Sequence, residues 1–408
     1  MKWQNAKIDS LKANVRNSIV GGPFGSDLTT RDYVEDGVPV IRGTNLSDDR
    51  EFFDDGFVYV REEKADALKS NTAYSGDLVF TQRGTLGQVG IIPEKPRYSR
   101  YVISQSQMKL TVDPKRVCSR YVYYYFKHPE TIQKVKNQAL TSGVPHINLG
   151  ILRAFEIPLP PLPVQTGIVK ILSTYDDLIE NNQRRMALLE DAARQMYQEW
   201  FVRLRFPGHE HTRIVDGVPE GWHGGNLRDV CFDLRETVSP NSLDPDTPYI
   251  GLEHMPRRSI SLTEWGSAEQ VTSTKLRFHA GEILFGKIRP YFHKAGIAFI
   301  DGVASSDTIV IRPAEERLNG LVLMTVASDP FVATTSQNML EGSKMPRADW
   351  KQMKEYPVAV PPDGLLKTFN ETINTITKQL KNLAFQNQRL RAARDLLLPK
   401  LMNGEISV

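Results

Sequence analysis

Cysteine is almost missing from this chain: Cys118 and Cys231 are the only two among 408 residues. They stand far apart, with no histidine or second cysteine at ligand spacing, so neither a disulfide framework nor a zinc site is expected. Long hydrophobic runs are missing too. No stretch approaches the roughly 20 apolar residues that span a bilayer, and the first residues lack the basic, apolar, small-residue order of a secretory signal. Cytoplasmic location is the expectation. Net charge is only +3, which excludes a uniformly polyanion-coating chain.

Catalytic patterns are equally scarce. Gly84-Thr85-Leu86-Gly87-Gln88-Val89-Gly90 has glycines without dinucleotide-fold spacing, and no helix pattern follows it. Leu340 to Met345 carries a lysine without the spacing of a phosphate-binding loop. His209-Glu210-His211 lies in a Pro-Gly loop and not on a helix, so paired zinc ligands are not expected. The Leu159-Pro160-Pro161-Leu162 stretch lacks the polar and aromatic flanks of an amino-methyltransferase motif, and no nuclease-like carboxylate-lysine set follows a strand. The expectation is a chain that binds and does not catalyse, with no metal and no cofactor of its own.

Hydrophobic spacing carries the organisation. From Val164 to Arg205, behind Pro158, Pro160, Pro161 and Pro163, the positions Leu172, Tyr175, Ile179, Asn182, Met186, Leu189, Ala193, Met196 and Trp200 alternate three and four apart, the seam of a coiled-coil helix. From Asp363 to Met402, behind Pro361 and Pro362, Leu366, Phe369, Ile373, Ile376, Leu380, Leu383, Asn387, Leu390, Arg394, Leu397 and Leu401 repeat that spacing. An antiparallel pairing with Asn182 facing Asn387 sets Leu172 against Leu397, Ile179 against Leu390, Met186 against Leu383 and Trp200 against Phe369. A one-heptad shift leaves an amide unpaired, at a cost of roughly 1–3 kcal/mol. The Tyr175–Arg394 layer is the weak point of this register. About nine layers span on the order of 40 Å.

The rest of the chain repeats in the same order. Trp3 to Leu11 matches Trp222 to Val230, Pro39 to Leu46 matches Pro248 to Met255, and Gly76 to Phe80 matches Gly281 to Phe285. Leu140 to His146 matches Leu340 to Arg347, and Ile157 to Pro161 matches Tyr356 to Pro362. Each copy mixes short strands with one expected helix, over 119–137 and 318–337. The fold class is therefore α+β: two similar domains with a pseudo-twofold internal repeat, separated by a long antiparallel two-helix coiled coil. Boundaries are expected at 1–163, 164–206, 207–362 and 363–408.

Charge is uneven. Residues 94–136 hold ten basic side chains, and Asp48, Asp49, Glu51, Asp54 and Asp55 form an acidic cluster; a polyanion on one face and protein partners elsewhere would suit this. The polar loops offer side chains able to read base edges. In copy one these are Arg42, Thr44, Asn45, Gln82, Arg83, Thr85, Gln105, Ser142 and His146; in copy two, Glu253, His254, Lys287, Arg289, Tyr291, His293, Lys344 and Arg347. Tyr197, Trp200, Phe201, Arg203 and Arg205 are candidates for docking partners. A protein-binding scaffold with paired heads on a helical spacer fits the same repeat.

A domain opened by tryptophan, a proline stop and a long helix, all given twice, resembles the specificity subunit of type I restriction-modification systems (HsdS). The resemblance rests on Pro23-Phe24-Gly25-Ser26, Val38 to Gly43, Ile157 to Pro161 and Arg391 to Ile406 in their order. It implies double-stranded DNA as ligand, each domain reading half of a bipartite site and the helices setting the spacer. It also implies two modification subunits using S-adenosylmethionine, restriction subunits using ATP and Mg, and no catalytic residue in this chain.

Overall fold

The computed structural model describes residues 3–46, 50–139, 144–337 and 346–408. The chain forms two compact units: Met1–Glu180 with Arg389–Val408, and Asn181–Gln388. Both long helices are continuous across that division, one running Leu162–Tyr197 and the other Asp363–Met402. Each unit thus folds around one end of each helix.

Among the described residues the first unit holds two sheets of more than two strands. One runs in the order Ile19–Gly21, Gln107–Leu110, Leu78–Thr81, Val89–Ile91; the other in the order Tyr33–Val34, Val58–Val60, Val38–Ile41, Tyr101–Ile103, Thr72–Ala73. Its one parallel step pairs Val40 with Val102 and Ile41 with Ile103. In the second unit, Cys231–Leu234, Thr308–Pro313, Ile283–Gly286 and Ala295–Ala298 take the order of the first sheet. The parallel step recurs between Pro248–Ile250 and Gly302–Ala304, pairing Tyr249 with Val303. The strand Asn5–Lys7 pairs with Glu156–Pro158, as His223–Asn226 pairs with Pro357–Val360. The two units therefore share topology. Even the acidic turns match, since Asp77 accepts from the Tyr74 amide and Glu282 from the His279 amide, both at 2.9 Å.

Packing follows the apolar spacing within each unit. Ile168, Leu172, Leu398, Leu401 and Met402 are buried with Leu110, Tyr121 and Ile157 in the first. Ala193, Phe369, Ile373 and Leu380 are buried with Phe285, Phe331 and Trp222 in the second, and Met186, Leu189 and Met196 pack against them. The Asn182 amide donates to Asn387 at 3.0 Å, the pair that the seam register sets opposite. Trp200 and Phe369 meet with ring centroids 5.7 Å apart.

Several sequence expectations are corrected. The single helices over 119–137 and 318–337 are each two: Ser119–Lys127 and Pro129–Asn137, then Asn319–Val326 and Asp329–Gln337. Pro129 lacks the donor to continue a helix, and the His128 imidazole caps the next one by accepting from the Glu130 amide. The first long helix begins at Leu162, earlier than Val164, and passes into a π-turn over Gln198–Val202. The second carries Pro399 inside it and ends at Met402, with Gly404 in the left-handed region at φ 71°. Tyr197 and Trp200 are buried in the second unit's core, and Phe201 stacks on Tyr197 there, so these rings cap a domain and offer no docking face.

Candidate nucleic-acid interface

In each unit a strand runs out into a polar loop whose first residue is held from both sides. The Gln82 amide donates to the Ser106 carbonyl at 2.7 Å, and the Gln82 carbonyl accepts from Ile147 at 3.1 Å. In the second unit Lys287 donates to Asp307 at 2.8 Å and accepts from Ala348 at 2.9 Å. One residue further, Arg83 bridges His146 and Ile288 bridges Arg347. The same backbone frame therefore presents Gln82 and His146 in one unit, and Lys287 and Arg347 in the other. A glutamine can bond an adenine edge in a bidentate way, whereas lysine and arginine suit guanine acceptors. A common frame with unlike side chains can read unlike bases.

Around the first frame lies an open cleft of about 970 Å³, lined by the loop from Gly21 to Gly25 together with Asn71, Gln82, Arg83 and Gln105. Arg83 and Thr85 are exposed, and Arg83 has no acidic partner among the described residues. The Gln105 amide nitrogen is committed to the Gly25 and Leu28 carbonyls at 2.6 and 2.7 Å, so this side chain first of all clamps a loop.

The second frame carries more charge. Burial lowers the Lys287 ammonium from its ordinary range while Asp307 opposes the shift, and Lys287 donates to the Ser306 carbonyl at 2.9 Å. Arg347 lies 3.3 Å from Asp307. Arg289 adopts a left-handed backbone at φ 51° and sits over the Phe292 ring at 5.9 Å. Arg257, which sequence reading missed, lies over the same ring at 4.0 Å. Two guanidiniums thus share one aromatic ring, an attraction independent of any carboxylate. Tyr291 beside them is 52% exposed.

Some expected readers have structural work instead. Asn45 is fully buried: it accepts from the Arg42 amide at 2.9 Å and donates to the Phe53 and Asp55 carbonyls at 3.1 and 3.0 Å. His254 closes the equivalent turn by accepting from the Gly251 amide at 3.0 Å. The Asn45/His254 difference is thus a change in how one turn is locked, and the expectation that it reads bases is withdrawn. His293 is 5% exposed and donates from Nε2 to the Ala327 carbonyl at 2.8 Å, so that nitrogen is committed to the fold. Arg42 bonds the Gly56 carbonyl at 3.4 Å. Thr44 and Glu253 are exposed at their turns. Ser142 and Lys344, and most of the repeat segments Leu140 to His146 and Leu340 to Arg347, lie outside the described residues.

The basic stretch 94–136 does not form one positive face. The Arg97 guanidinium lies 3.7 Å from Asp55, Arg120 meets Glu51 at 3.1 Å, Arg100 pairs with Glu62 and Asp66, and Lys109 lies 3.5 Å from Asp77. The acidic cluster expected on a separate surface, where described, folds against the basic one. Linear charge counts cannot see this compensation. Among the described residues no group of three or more His, Cys, Asp or Glu side chains is placed to hold a metal ion, and no helix is long and apolar enough to cross a membrane.

Fold and loops together define a class: tandem α+β modules of one topology, each displaying its own polar side chains on a shared loop frame. Comparison with known proteins narrows the class. Residues 27–191 match the type I restriction modification DNA specificity domain. The chain is 23% identical over 347 residues to the type I restriction enzyme MjaIX specificity subunit of Methanocaldococcus jannaschii, covering 82% of this chain and 78% of the relative. It is 22% identical over 334 residues to the EcoDI specificity subunit of Escherichia coli, covering 74% and 73%. The crystal structure of a type I restriction-modification S subunit from M. genitalium superposes with a TM-score of 0.58 at 16% identity, covering 98% of this chain and 96% of that one, which shows a common fold. In sequence the chain is thus similar to type I restriction-modification specificity subunits over most of its length.

Proposed function

We propose that this chain is the DNA-recognition subunit of a type I restriction-modification complex, each unit reading one half of a bipartite site and the two long helices setting the unread spacer between the halves. The observation that carries the reading is the duplicated frame, with Gln82 and His146 in one unit standing where Lys287 and Arg347 stand in the other. Backbone geometry is kept while side-chain chemistry changes, which is what two related readers of different sequences need. In the layout we propose, the reading domains span 1–163 and 207–362, and 164–206 pairs antiparallel with 363–408.

The chain itself supplies binding and no chemical step. Its proposed partners are double-stranded DNA, two modification subunits that use S-adenosylmethionine, and restriction subunits that use ATP and Mg; its proposed location is the cytoplasm. Replacing residues 1–157 with those of a relative, in the complete complex, tests the assignment by methylome sequencing. Exactly one half of the methylated motif should change, and a change in both halves or neither rejects the proposal.

A further inference from the structure

Phe24 is the most exposed large apolar side chain among the described residues, at 87% of its free surface. Single exposed hydrophobics are ordinary on a protein surface. What sets this one apart is how firmly its loop is held. The Gln105 side chain donates to the carbonyls of Gly25 and Leu28, on either side of the turn. Asn71 donates to the Gly21 carbonyl at 2.7 Å, and the Gly22 amide to the Gln107 carbonyl at 2.8 Å. Gly22 lies so close to the opposite strand that a Cβ there would come within 2.0 Å of the Ser104 oxygen, and Gly25 adopts φ +47°. Two glycines, two side-chain amides and a short helical turn thus immobilise a loop whose apex ring packs on almost nothing. A floppy loop could fold that ring inward. This one cannot.

The ring also has a position. Phe24 and Gly25 line the same cleft as Gln82, Arg83 and Gln105. Of the charged groups there, Lys12 and Arg153 share Asp9 at 2.6 and 3.8 Å, Asp27 is the acid on the loop, and Arg83 has no acidic partner among the described residues. With Asp9 counted, three cations stand against two acids, and Arg83 is the cation left without a carboxylate among the described residues, which favours an anionic ligand over an acidic protein surface. The second unit has no counterpart: the register that aligns Ile19 with Asp233, through Leu110 and Ile311, leaves Val238, buried, near the matching place.

We propose, resting on the DNA-recognition reading above, that Phe24 is an apolar wedge that enters the base stack beside the half-site read by the first unit, so that this half is selected partly by how easily one base step opens. Proteins that insert phenylalanine between base steps unstack and kink the duplex, and flexible pyrimidine–purine steps yield most readily. The two halves are then read by different physics: a wedge plus Gln82 and Arg83 in the first, and charged side chains in the second.

The test uses the complete complex and a duplex carrying the sequence it methylates, with 2-aminopurine placed singly along the first unit's half and its flanks, outside the methylated adenine. Wild-type complex should raise the fluorescence at one step. Phe24→Ala should abolish the rise and weaken binding about tenfold, the scale of one lost base–aromatic stack, with an unchanged salt slope. Phe24→Trp should keep it. The exposed ring makes no core contact, so loss of folding does not confound the variant. A duplex that responds at no step, with Phe24→Ala binding as wild type, overturns the wedge; so does a Phe24→Ala complex that binds DNA normally but loses a partner subunit in sedimentation. The paired variant Gln82→Ala/Arg83→Ala separates the two levels. If it alters the methylated motif while Phe24→Ala changes nothing, the wedge falls and the reading stands; if neither has any effect, the cleft is not the DNA surface and both fall.

Discussion

Arg394 donates to the Asp176 carboxylate at 2.6 Å, tying the two long helices together within the first unit at the layer where Tyr175 alone would have faced it. Tyr124 donates to the other Asp176 oxygen, also at 2.6 Å, so one carboxylate links both helices to the adjoining domain. Only 15% and 19% of the arginine and aspartate side chains are exposed. Breaking a largely buried pair on one side costs about 3–5 kcal/mol. Asp176→Ala and Arg394→Ala should each lower stability in urea unfolding, toward the lower part of that range because some solvent reaches the pair. The double variant should cost clearly less than the sum, and strict additivity would show the pair to be uncoupled.

The Asn182–Asn387 bond makes a second, contrasting prediction. Asn182→Leu alone strands the Asn387 amide and should cost about 1–3 kcal/mol, whereas leucine at both positions should recover that loss or exceed it. Thermal unfolding of the three variants decides. Equal destabilisation by the single and double changes would mean that the amides are not each other's partners.

Glu51 sets a pH dependence. Burial pushes its carboxyl up to about 7 against the pull of Arg120, with Asp176, Asp177 and Glu180 adding to the rise. The folded state then holds a proton that the unfolded state releases near the ordinary carboxylate value, so stability is highest below that value and falls as pH climbs through about 7. Burial lowers the histidines His128 and His293, which act with the opposite sign. The informative quantity is therefore the difference between wild type and Glu51→Gln, which should widen between pH 5 and 7 by on the order of 2–3 kcal/mol. A pH-independent difference would place the carboxyl in ordinary solvent.

At the reading loops, Lys287→Ala or Arg347→Ala should relax one base position in one half of the methylated motif, each at about 1–3 kcal/mol of discrimination. Gln82→Ala should do the same in the other half. Motif logos from the methylomes of the variants measure this. Uniform weakening across all sequences would mark the residue as a phosphate contact.

Adding one heptad after Met186 and one after Leu383 keeps the seam in phase and lengthens it by about 10 Å. With base pairs about 3.4 Å apart, the tolerated spacer should grow by about three. An unchanged spacer removes the helices as its ruler.

Hydrophobic spacing was enough to locate both long helices, with their proline stops and their asparagine layer, because a period near 3.5 residues has a single geometric meaning. The repeat was legible as well, since strands such as Val38–Ile41 and Pro248–Ile250 keep their apolar pattern while their loops diverge. Helix breaks at His128 and Ser328 were not, for an apolar stripe can continue across a cap. What only the folded chain decided was the use of each polar side chain. Asn45 and Gln105 look like readers in one dimension, yet the first is buried in its own turn and the second clamps a loop, because the backbone groups they satisfy come from distant residues. Charge behaved alike: Arg97, Arg100, Lys109 and Arg120 of the basic stretch meet carboxylates that only tertiary folding brings beside them, and Phe24 stands out only once the exposures of the described rings are compared.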